Sequence, residues 1–301
     1  VFGGWDPISS NVLEAARTCG VLDEKDIAPV SSELEAIVAM DAVFDNRWVK
    51  NLDGKRVKNL DSKWDQAQAL IADIEKFRVD NECDRLVMVW CGSTEAFQEA
   101  SSVHESVDSF EEGLKSNDEN ISPSQIYAYA AIMSGVPFAN GAPNLALDIP
   151  CMVELAKSRG VPVAGKDFKT GQTLMKTLLA PGLKARMLGL RGWFSTNILG
   201  NRDGEVLDDP DNFKTKEVSK LGVLDTILQP DSYPELYGNI DHVVRAYFMK
   251  RVGHISGQDV GKIDLGDDSK NSTNSSKKSA DNNNNNNNNG RSSGNSNNSK
   301  T

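Results

Sequence analysis

The sequence has few of the residues that build metal and disulfide sites. Its 301 residues include three histidines and four cysteines, and they contain no CxxC pair and no Cys/His cluster. The cysteines Cys19, Cys83, Cys91 and Cys151 are scattered, and two of them stand in apolar, strand-like contexts. We therefore expect reduced thiols in the core and no zinc or disulfide framework.

Basic charge and long apolar runs are also scarce. Lys and Arg number 33 against 43 Asp and Glu, which gives a formal net charge of −10. This acidic balance argues against nucleic acid as a main partner. No apolar run reaches the roughly 18 residues of a membrane span. The expectation is a soluble, cytoplasmic protein with neither a membrane nor a nucleic-acid partner.

The glycine motifs of nucleotide-binding loops are missing. The chain contains neither G-x-G-x-x-G nor the G-x-x-x-x-G-K-[ST] of a P-loop, which excludes a P-loop kinase or NTPase. The stretch GKDFKTGQT at 165–173 comes nearest, but Gln172 and Thr173 follow Gly171. Because a helical pattern follows, this stretch can hold some other anion at a helix N-terminus, or form only an N-cap. The residues alone leave both alternatives open.

The two ends of the chain differ from its middle. Residues 253–301 are mostly Ser, Asn, Lys, Asp and Gly, with eight consecutive asparagines at 282–289. Such a segment has too little apolar surface to offset its ordering entropy, so we expect it to be disordered. The chain opens with VFGGWD, apolar from the first residue and without Met. We therefore expect a fragment that begins inside a strand.

Apolar runs alternate with helical patterns over the first 250 residues. Three apolar runs predict strands: 83–91, 136–141 and 161–166. Three amphipathic patterns predict helices: 64–81, 122–135 and 149–160. The first run has no polar alternation past Arg85, which is typical of a strand buried on both faces. Alternation of strand and helix predicts an α/β fold with a mostly parallel sheet.

The second and third helices carry terminal signals. Ser122 and Pro123 predict an N-cap followed by Pro at the first helical position. Gly135 and Gly160 predict the residues just past the two helix ends. These signals fix where the predicted helices begin and end.

Polar residues follow the predicted strands, at the edge where parallel sheets bind ligands. Asp6 in GGWD can hold the hydroxyls of a ribose or cap a helix at 7–18, and the local sequence favours the cap. The small residues at 91–94 suit close approach of a ligand to the backbone, but the local sequence favours a turn before the next helix.

Two later segments also carry polar groups. The NRDG segment at 201–204 can grip a ribose, a nicotinamide amide or a metal-bound water, although its local pattern favours a hairpin turn. Lys214, Lys216 and Lys220 predict a solvated face on a helix at 213–228.

Six motifs stand in order along residues 1–245. They are GGWD (3–6), WCGSTE (90–95), VPFANGAPN (136–144), AGKDFKTGQT (164–173), LGNRDG (199–204) and FKTKEVSK (213–220). Together they resemble the myo-inositol-1-phosphate synthase (inositol-3-phosphate synthase) family. In that family the last five read WTANTE, VPFINGSPQ, AGDDFKSGQT, LGNNDG and FRSKEISK. Six collinear motifs are far more specific than any one of them.

The resemblance implies an NAD-dependent isomerase that converts D-glucose 6-phosphate into 1L-myo-inositol 1-phosphate, for inositol and phospholipid biosynthesis. In the family, tightly held NAD⁺ oxidises C5, an intramolecular aldol from C6 closes the ring, and NADH then reduces the carbonyl. Such a site needs a Rossmann fold, a phosphate cradle and cationic groups for enolate and alkoxide charge. The resemblance also implies a homo-oligomer, which is a tetramer in the family.

The motifs also assign residues. The resemblance implies that Asp6 holds the adenosine ribose and that Asp167 and Asp203 are catalytic. The cofactor-binding set it implies is Asp6, Cys91, Gly92, Ser93, Thr94, Gly141, Asp167, Asn201, Arg202 and Asp203. The set it implies for the substrate phosphate is Thr170, Gly171, Gln172 and Thr173. It implies no metal ligand.

The resemblance further implies three parts. They are an NAD-binding Rossmann-like region at 1–175 without its N-terminal Gly-rich loop, the beginning of an α+β catalytic and oligomerisation domain at 176–252, and the tail at 253–301. Lys166 and Arg202 change the charge of their motifs. Two lysines that the family carries after His242 are not matched, because Tyr247 stands at the first position and Ser256, in the segment 253–256, at the second. The two unmatched lysines motivate a second hypothesis, a non-catalytic homologue that binds NAD or a sugar phosphate.

Overall fold

A computed structural model describes residues 1–168, 171–199 and 201–248 of the chain. The predicted tail at 253–301 lies outside these residues. Helices α1 to α11 within them are Val12–Cys19, Glu24–Ile27, Ser31–Ala36, Lys63–Asp80, Val107–Ser116, Pro123–Met133, Pro150–Arg159, Gly171–Ala185, Asn201–Leu207, Pro210–Leu228 and Pro234–Tyr237. Strands β1 to β5 are Met88–Trp90, Phe138–Asn140, Val163–Ala164, Gly192–Leu199 and Asp241–Phe248.

The first three strands form a parallel sheet in the order β1-β2-β3. This confirms the predicted α/β fold, but the prediction that 83–91 is a strand buried on both faces was wrong. Only Met88–Trp90 is strand, and the Val89 side chain is 48% exposed. Met88 and Trp90 pack against the core, whereas the alternate residues Val87 and Val89 are 71% and 48% exposed. The strand is therefore buried on one side only.

The three predicted helices are confirmed as α4, α6 and α7. Ser122 is the N-cap of α6 in a capping box with Gln125, and Pro123 is its first residue. Gly160 ends α7 at φ 64°, a left-handed conformation that glycine adopts without a Cβ penalty. All of α6 from Pro123 to Ile132 is buried, so this helix is the centre of the core around the three-stranded sheet.

The later part of the chain forms a second parallel pair, which the sequence patterns did not predict. β4 pairs with β5 over eight residues, from Gly192 opposite Asp241 onward. Helices α8 and α10 pack together, and their small core contains Ala180, Leu224 and Tyr237. Because β4 and β5 are parallel, β4 must be followed by a crossover and not by a hairpin.

Of the four cysteines that we expected in the core, one is buried. All four thiols are free, and the described residues contain no cluster of His, Cys, Asp and Glu that could hold a metal ion. However, only Cys151 is in the core, whereas Cys19 and Cys91 are exposed. Cys91 is exposed because β1 ends before it, at the rim of the sheet. No helix among the described residues is long and apolar enough to cross a membrane.

Candidate functional site

The carboxyl ends of the three parallel strands meet at one edge, and backbone hydrogen bonds join their loops. Gly141 N donates to Trp90 O at 2.9 Å, which joins the β2 loop to the β1 loop. Phe168 N donates to Gly141 O at 3.0 Å, and Asp167 N donates to Ala142 O at 3.0 Å. The segments 91–94, 141–144 and 165–168 are therefore neighbours, as expected for the ligand edge of a parallel sheet.

Asp6 lies at the end of a short extended segment that runs parallel to Met40. Its Oδ1 accepts hydrogen bonds from Ile8 N at 2.7 Å and Ser9 N at 3.0 Å, while no donor of the described residues bonds Oδ2. The predicted helix cap was wrong, because α1 starts later and Asn11 caps it through Glu14 N. Asp6 instead closes a turn and keeps one carboxylate oxygen available.

A cavity of about 520 Å³ brings Asp6 together with Cys91, Gly92 and Ser93. Trp90 also lines this cavity, and its Nε1 is buried without a partner among the described residues. A Cβ on Gly92 would lie 2.6 Å from the Trp90 ring, so a larger residue would require the ring to move. The cavity joins the first and second motifs of the sequence, which are 85 or more residues apart.

Thr94 and Gly141 do not line this cavity. Thr94 is buried, and its carbonyl accepts a hydrogen bond from Asn212 Nδ2 at 2.7 Å. A Cβ on Gly141 would lie 2.8 Å from Trp90 O and 2.6 Å from the Phe168 ring. Both positions therefore support the loops, and Gly141 is needed where three chain segments approach one another closely.

Glu95 is a buried acid that the sequence analysis did not single out. It is 3% exposed, and its two carboxylate oxygens accept from Ser124 N at 2.8 Å and from Ser124 Oγ at 2.6 Å. Burial raises the pKa of Glu95 to about 7, against the lowering effect of these hydrogen bonds. No local signal identifies Glu95, because its partner Ser124 lies 29 residues later in the chain.

Two asparagines fix the loops around Glu95. Asn144 Oδ1 accepts from Glu95 N at 3.0 Å, and its Nδ2 donates to Ser93 O at 3.2 Å. Asn140 Nδ2 in turn donates to Asn144 O at 2.9 Å. The NGAPN loop therefore holds the CGSTE loop in place, and these two motifs form one structural unit.

Asp167 lies beside helix α10. Its backbone adopts φ 61°, and its buried Oδ2 accepts from Ser219 Oγ of α10 at 2.9 Å. A second cavity, of about 470 Å³, borders this pair and is lined by Ser219, Lys166 and Phe97. Lys166 is not a free cation at this site, because its Nζ pairs with Asp148 at 2.7 Å.

Helix α8 begins within the predicted phosphate cradle. Gly171 is its first residue, at φ 53°, and Thr173 is almost fully buried in its first turn. Thr170 lies outside the described residues, and the side chain of Gln172 is outside them as well. The structure therefore places a helix N-terminus at the predicted position, where backbone N–H groups and the helix dipole favour an anion.

The prediction of a solvated lysine face on α10 was wrong for Lys220. Lys220 is 7% exposed and Lys216 is half-buried, whereas Lys214 is exposed and lies 4.1 Å from the centre of the Phe97 ring. The fully buried Lys176 of α8 donates from Nζ to Lys220 O at 2.6 Å. Only the sequence-distant packing of α8 on α10 reveals this burial.

The predicted hairpin turn at 201–204 was also wrong. These residues open helix α9, because β4 crosses over to its parallel partner and does not reverse. Asp203 is exposed and lines neither the cavity at Asp6 nor the cavity at Ser219. The side chains of Asn201 and Arg202 lie outside the description. The structure thus groups Asp6 with 91–93 and Asp167 with α8 and α10, and it does not bring Asp203 to either group.

The parallel sheet and its ligand-facing loops define a Rossmann-like α/β protein. A family model for an NAD-binding domain, described as myo-inositol-1-phosphate synthase, matches residues 1–240. The chain belongs to the myo-inositol-1-phosphate synthase family.

Relatives agree with this assignment. Inositol-3-phosphate synthase 1 of Bacteroides thetaiotaomicron is 56% identical over 81% of this chain and 57% of its own length. Inositol-3-phosphate synthase of Trypanosoma brucei brucei is 35% identical over 84% of this chain and 49% of its own length. The crystal structure of inositol-3-phosphate synthase from Caenorhabditis elegans superimposes with a TM-score of 0.77 at 29% identity, over 84% of this chain and 50% of the other. The chain spans about half the length of the curated relatives it matches.

Proposed function

We propose that this chain carries the NAD site and the start of the catalytic part of an enzyme that isomerises D-glucose 6-phosphate to 1L-myo-inositol 1-phosphate. One observation carries the proposal, namely the cavity that joins Asp6 to Cys91–Ser93 at the ligand edge of the parallel sheet. The 56% identity to an inositol-3-phosphate synthase supports the choice of reaction. Glucose 6-phosphate is therefore the proposed substrate.

The residues present fit a dinucleotide. Asp6 Oδ2 is available to accept from a ribose diol, while Oδ1 is held by two backbone N–H groups. The Trp90 Nε1–H is a buried donor without a described partner in the same cavity. Gly92 and Ser93 let a ligand approach the backbone closely. NAD⁺, when bound, supplies the acceptor and later the donor of a hydride.

The remaining roles fall to residues beyond this cavity. Gly141 and Thr94 act from the loops that frame the site, and Asn201, Arg202 and Asp203 act nearer the nicotinamide half. Asp167 is proposed as a catalytic carboxylate, oriented by Ser219 Oγ at 2.9 Å. Asp203 is proposed as its counterpart on the family motif alone.

The cradle for the sugar phosphate is the start of α8. Thr170, Gly171, Gln172 and Thr173 supply hydroxyl, amide and backbone donors on the positive end of the helix dipole. The buried lysines of α8 and α10 lie close behind this turn. A cationic surrounding suits a phosphate and the enolate and alkoxide charge that the reaction develops.

The proposed organisation keeps a boundary near residue 175. One core cluster spans Val43 to Val161 and another spans Ala180 to Tyr237, which supports two parts with their own cores. A third, smaller cluster packs Val206 of α9 against Trp48, Val49 and Leu52 and joins the two parts. Family membership is also the ground on which we propose that the protein is cytoplasmic and forms a homo-oligomer.

The proposal is tested by turnover. Purified protein is incubated with glucose 6-phosphate and catalytic NAD⁺, and inositol 1-phosphate is measured together with NADH absorbance. Product without net NADH supports the isomerase, whereas net NADH release indicates an ordinary dehydrogenase. Binding of both ligands without product supports the second candidate, the non-catalytic homologue, which Tyr247 and Ser256 at the family's lysine positions favour.

A further inference from the structure

One turn of α10 is bonded to both sides of the α8 N-terminus. Ser219 Oγ donates to Asp167 Oδ2 at 2.9 Å, just before the helix begins. Lys176 Nζ donates to the carbonyl of Lys220 at 2.6 Å, in the second turn of the helix. Two adjacent residues of α10 therefore hold the segment before the phosphate cradle and the segment after it.

The Lys176 ammonium is expensive to bury. Its residue has no exposed surface, and removing a charge from water is costly unless strong hydrogen bonds compensate. A methionine of similar length would fill the same space without that cost. Packing alone therefore does not account for a lysine at this position.

Lys176 also affects the pKa of the neighbouring His242. Burial, and next the charge of Lys176, lower the pKa of His242 on β5 to about 4. His242 is consequently neutral at pH 7 and adds no positive charge beside Lys176.

We propose that Lys176 is a positioning residue for the phosphate cradle. By holding the Lys220 carbonyl, it fixes α10 against α8 so that Ser219 meets Asp167 and the first turn of α8 keeps its orientation. The lysine acts through α10 and does not itself touch the substrate. This inference rests on the proposed function, because the cradle is assigned there.

The chain provides a matched control for this role. Lys184, also on α8, donates from Nζ to Ile227 O of α10 at 2.9 Å and contacts Gln229 Oε1. This bond is of the same type and joins the same two helices. Lys184 lies eight residues beyond Lys176 on α8, which is about 12 Å at 1.5 Å per residue. If only α8–α10 packing matters, both lysines should behave alike.

The experiment compares Lys176→Met with Lys184→Met in the whole chain. Calorimetry measures affinity for glucose 6-phosphate and for NAD⁺, and hydrogen exchange measures protection of the amides of 175–178. We expect Lys176→Met to weaken the affinity for glucose 6-phosphate about tenfold, which corresponds to one lost charged hydrogen bond. The affinity for NAD⁺ should stay unchanged. Exchange at 175–178 should also accelerate. Lys184→Met should leave both readouts unchanged while lowering the midpoint of urea unfolding.

Equal effects of the two variants on sugar-phosphate affinity, or unchanged exchange at 175–178 in Lys176→Met, would overturn the inference. Should Lys176→Met fail to fold, Ser219→Ala removes the other bond, which is only partly buried, and must show the same selective loss of glucose 6-phosphate affinity. Failure of the unmodified chain to bind glucose 6-phosphate would instead refute the proposed substrate. In that case the exchange comparison alone decides the positioning role.

Discussion

The part of the chain around β1–β3 and the part from α8 to β5 are held together by different forces. In the first, α6 is buried along ten consecutive residues within a large apolar core. In the second, α8 leaves Leu174, Met175, Leu178 and Leu179 about half exposed, and the core is small. Polar bonds to backbone carbonyls compensate, as in Lys176 to Lys220 and Lys184 to Ile227. The first part also contains such a bond, from Lys63 to Asp118 O and Ile121 O, but its apolar core is much the larger. The second part therefore relies relatively more on polar contacts.

Two phenylalanines give the largest expected contrast. Phe110 is 1% exposed in the first part, whereas Phe194 is 70% exposed on β4. Phe110→Ala should lower the free energy of unfolding by about 3–5 kcal/mol, because it removes a buried ring and leaves a cavity. Phe194→Ala should change it by less than about 0.5 kcal/mol. Urea unfolding measures both, and similar losses would contradict the difference between the two parts.

Glu95 should give the first part an unusual pH dependence. Its folded pKa of about 7 exceeds the reference value of 4.5, so the folded state binds the proton more tightly. Its contribution to the free energy of unfolding is complete below pH 4.5 and is lost as the pH rises toward 7. At 1.36 kcal/mol per pH unit, the loss is about 3 kcal/mol. Glu95→Gln should remove this slope in urea unfolding between pH 4.5 and 7. A variant that keeps the wild-type slope would show that another group causes it.

Asn212 tests whether polar contacts attach the second part to the first. Its buried Nδ2 donates to Trp48 O and to Thr94 O, both at 2.7 Å. Asn212→Ala should cost about 2 kcal/mol, since two hydrogen bonds of about 1 kcal/mol each disappear. Asn120→Ala is the control, because its exposed amide bonds only Asp118 in its own turn. Equal unfolding midpoints for the two variants would contradict the role of Asn212.

His242 should give the second part a small pH dependence of the opposite sign. Burial and the charge of Lys176 lower its pKa from 6.5 to about 4, so the unfolded state binds the proton more tightly. Its contribution is present above pH 6.5 and is lost as pH falls toward 4. His242→Gln should flatten this slope, as measured by the pH dependence of unfolding. The change in the pH dependence of unfolding must be opposite in sign to the change caused by Glu95→Gln. A change of the same sign would be inconsistent with a neutral imidazole in the folded state.

Local signals in the sequence were sufficient for the helices and loops around the three-stranded sheet. Ser122-Pro123 and Gly160 act within their own turn, so the ends of α6 and α7 could be predicted. The loops after β1, β2 and β3 were also found, because parallel strands place their carboxyl ends on one edge.

The errors concern contacts between distant residues. Burial of Lys220 requires Lys176, 44 residues earlier, and the role of Glu95 requires Ser124, 29 residues later. The turn formers at 201–204 look like a hairpin until β4 is known to pair in parallel with β5. Asp6 suits a helix cap better than a ribose contact until Asn11 is found as the cap of α1. No local pattern contains this information.

The assignment of Asp6 to a cofactor ribose is the central claim, and calorimetric titration of NAD⁺ tests it most directly. Asp6→Asn keeps an oxygen for Ile8 N and Ser9 N but removes the charge and the second acceptor. We predict a loss of about tenfold in NAD⁺ affinity, equivalent to one charge-assisted hydrogen bond of about 1.5 kcal/mol. Asp80→Asn, an exposed position at the end of α4, should leave the affinity unchanged. Unaltered NAD⁺ affinity in Asp6→Asn would contradict the assignment.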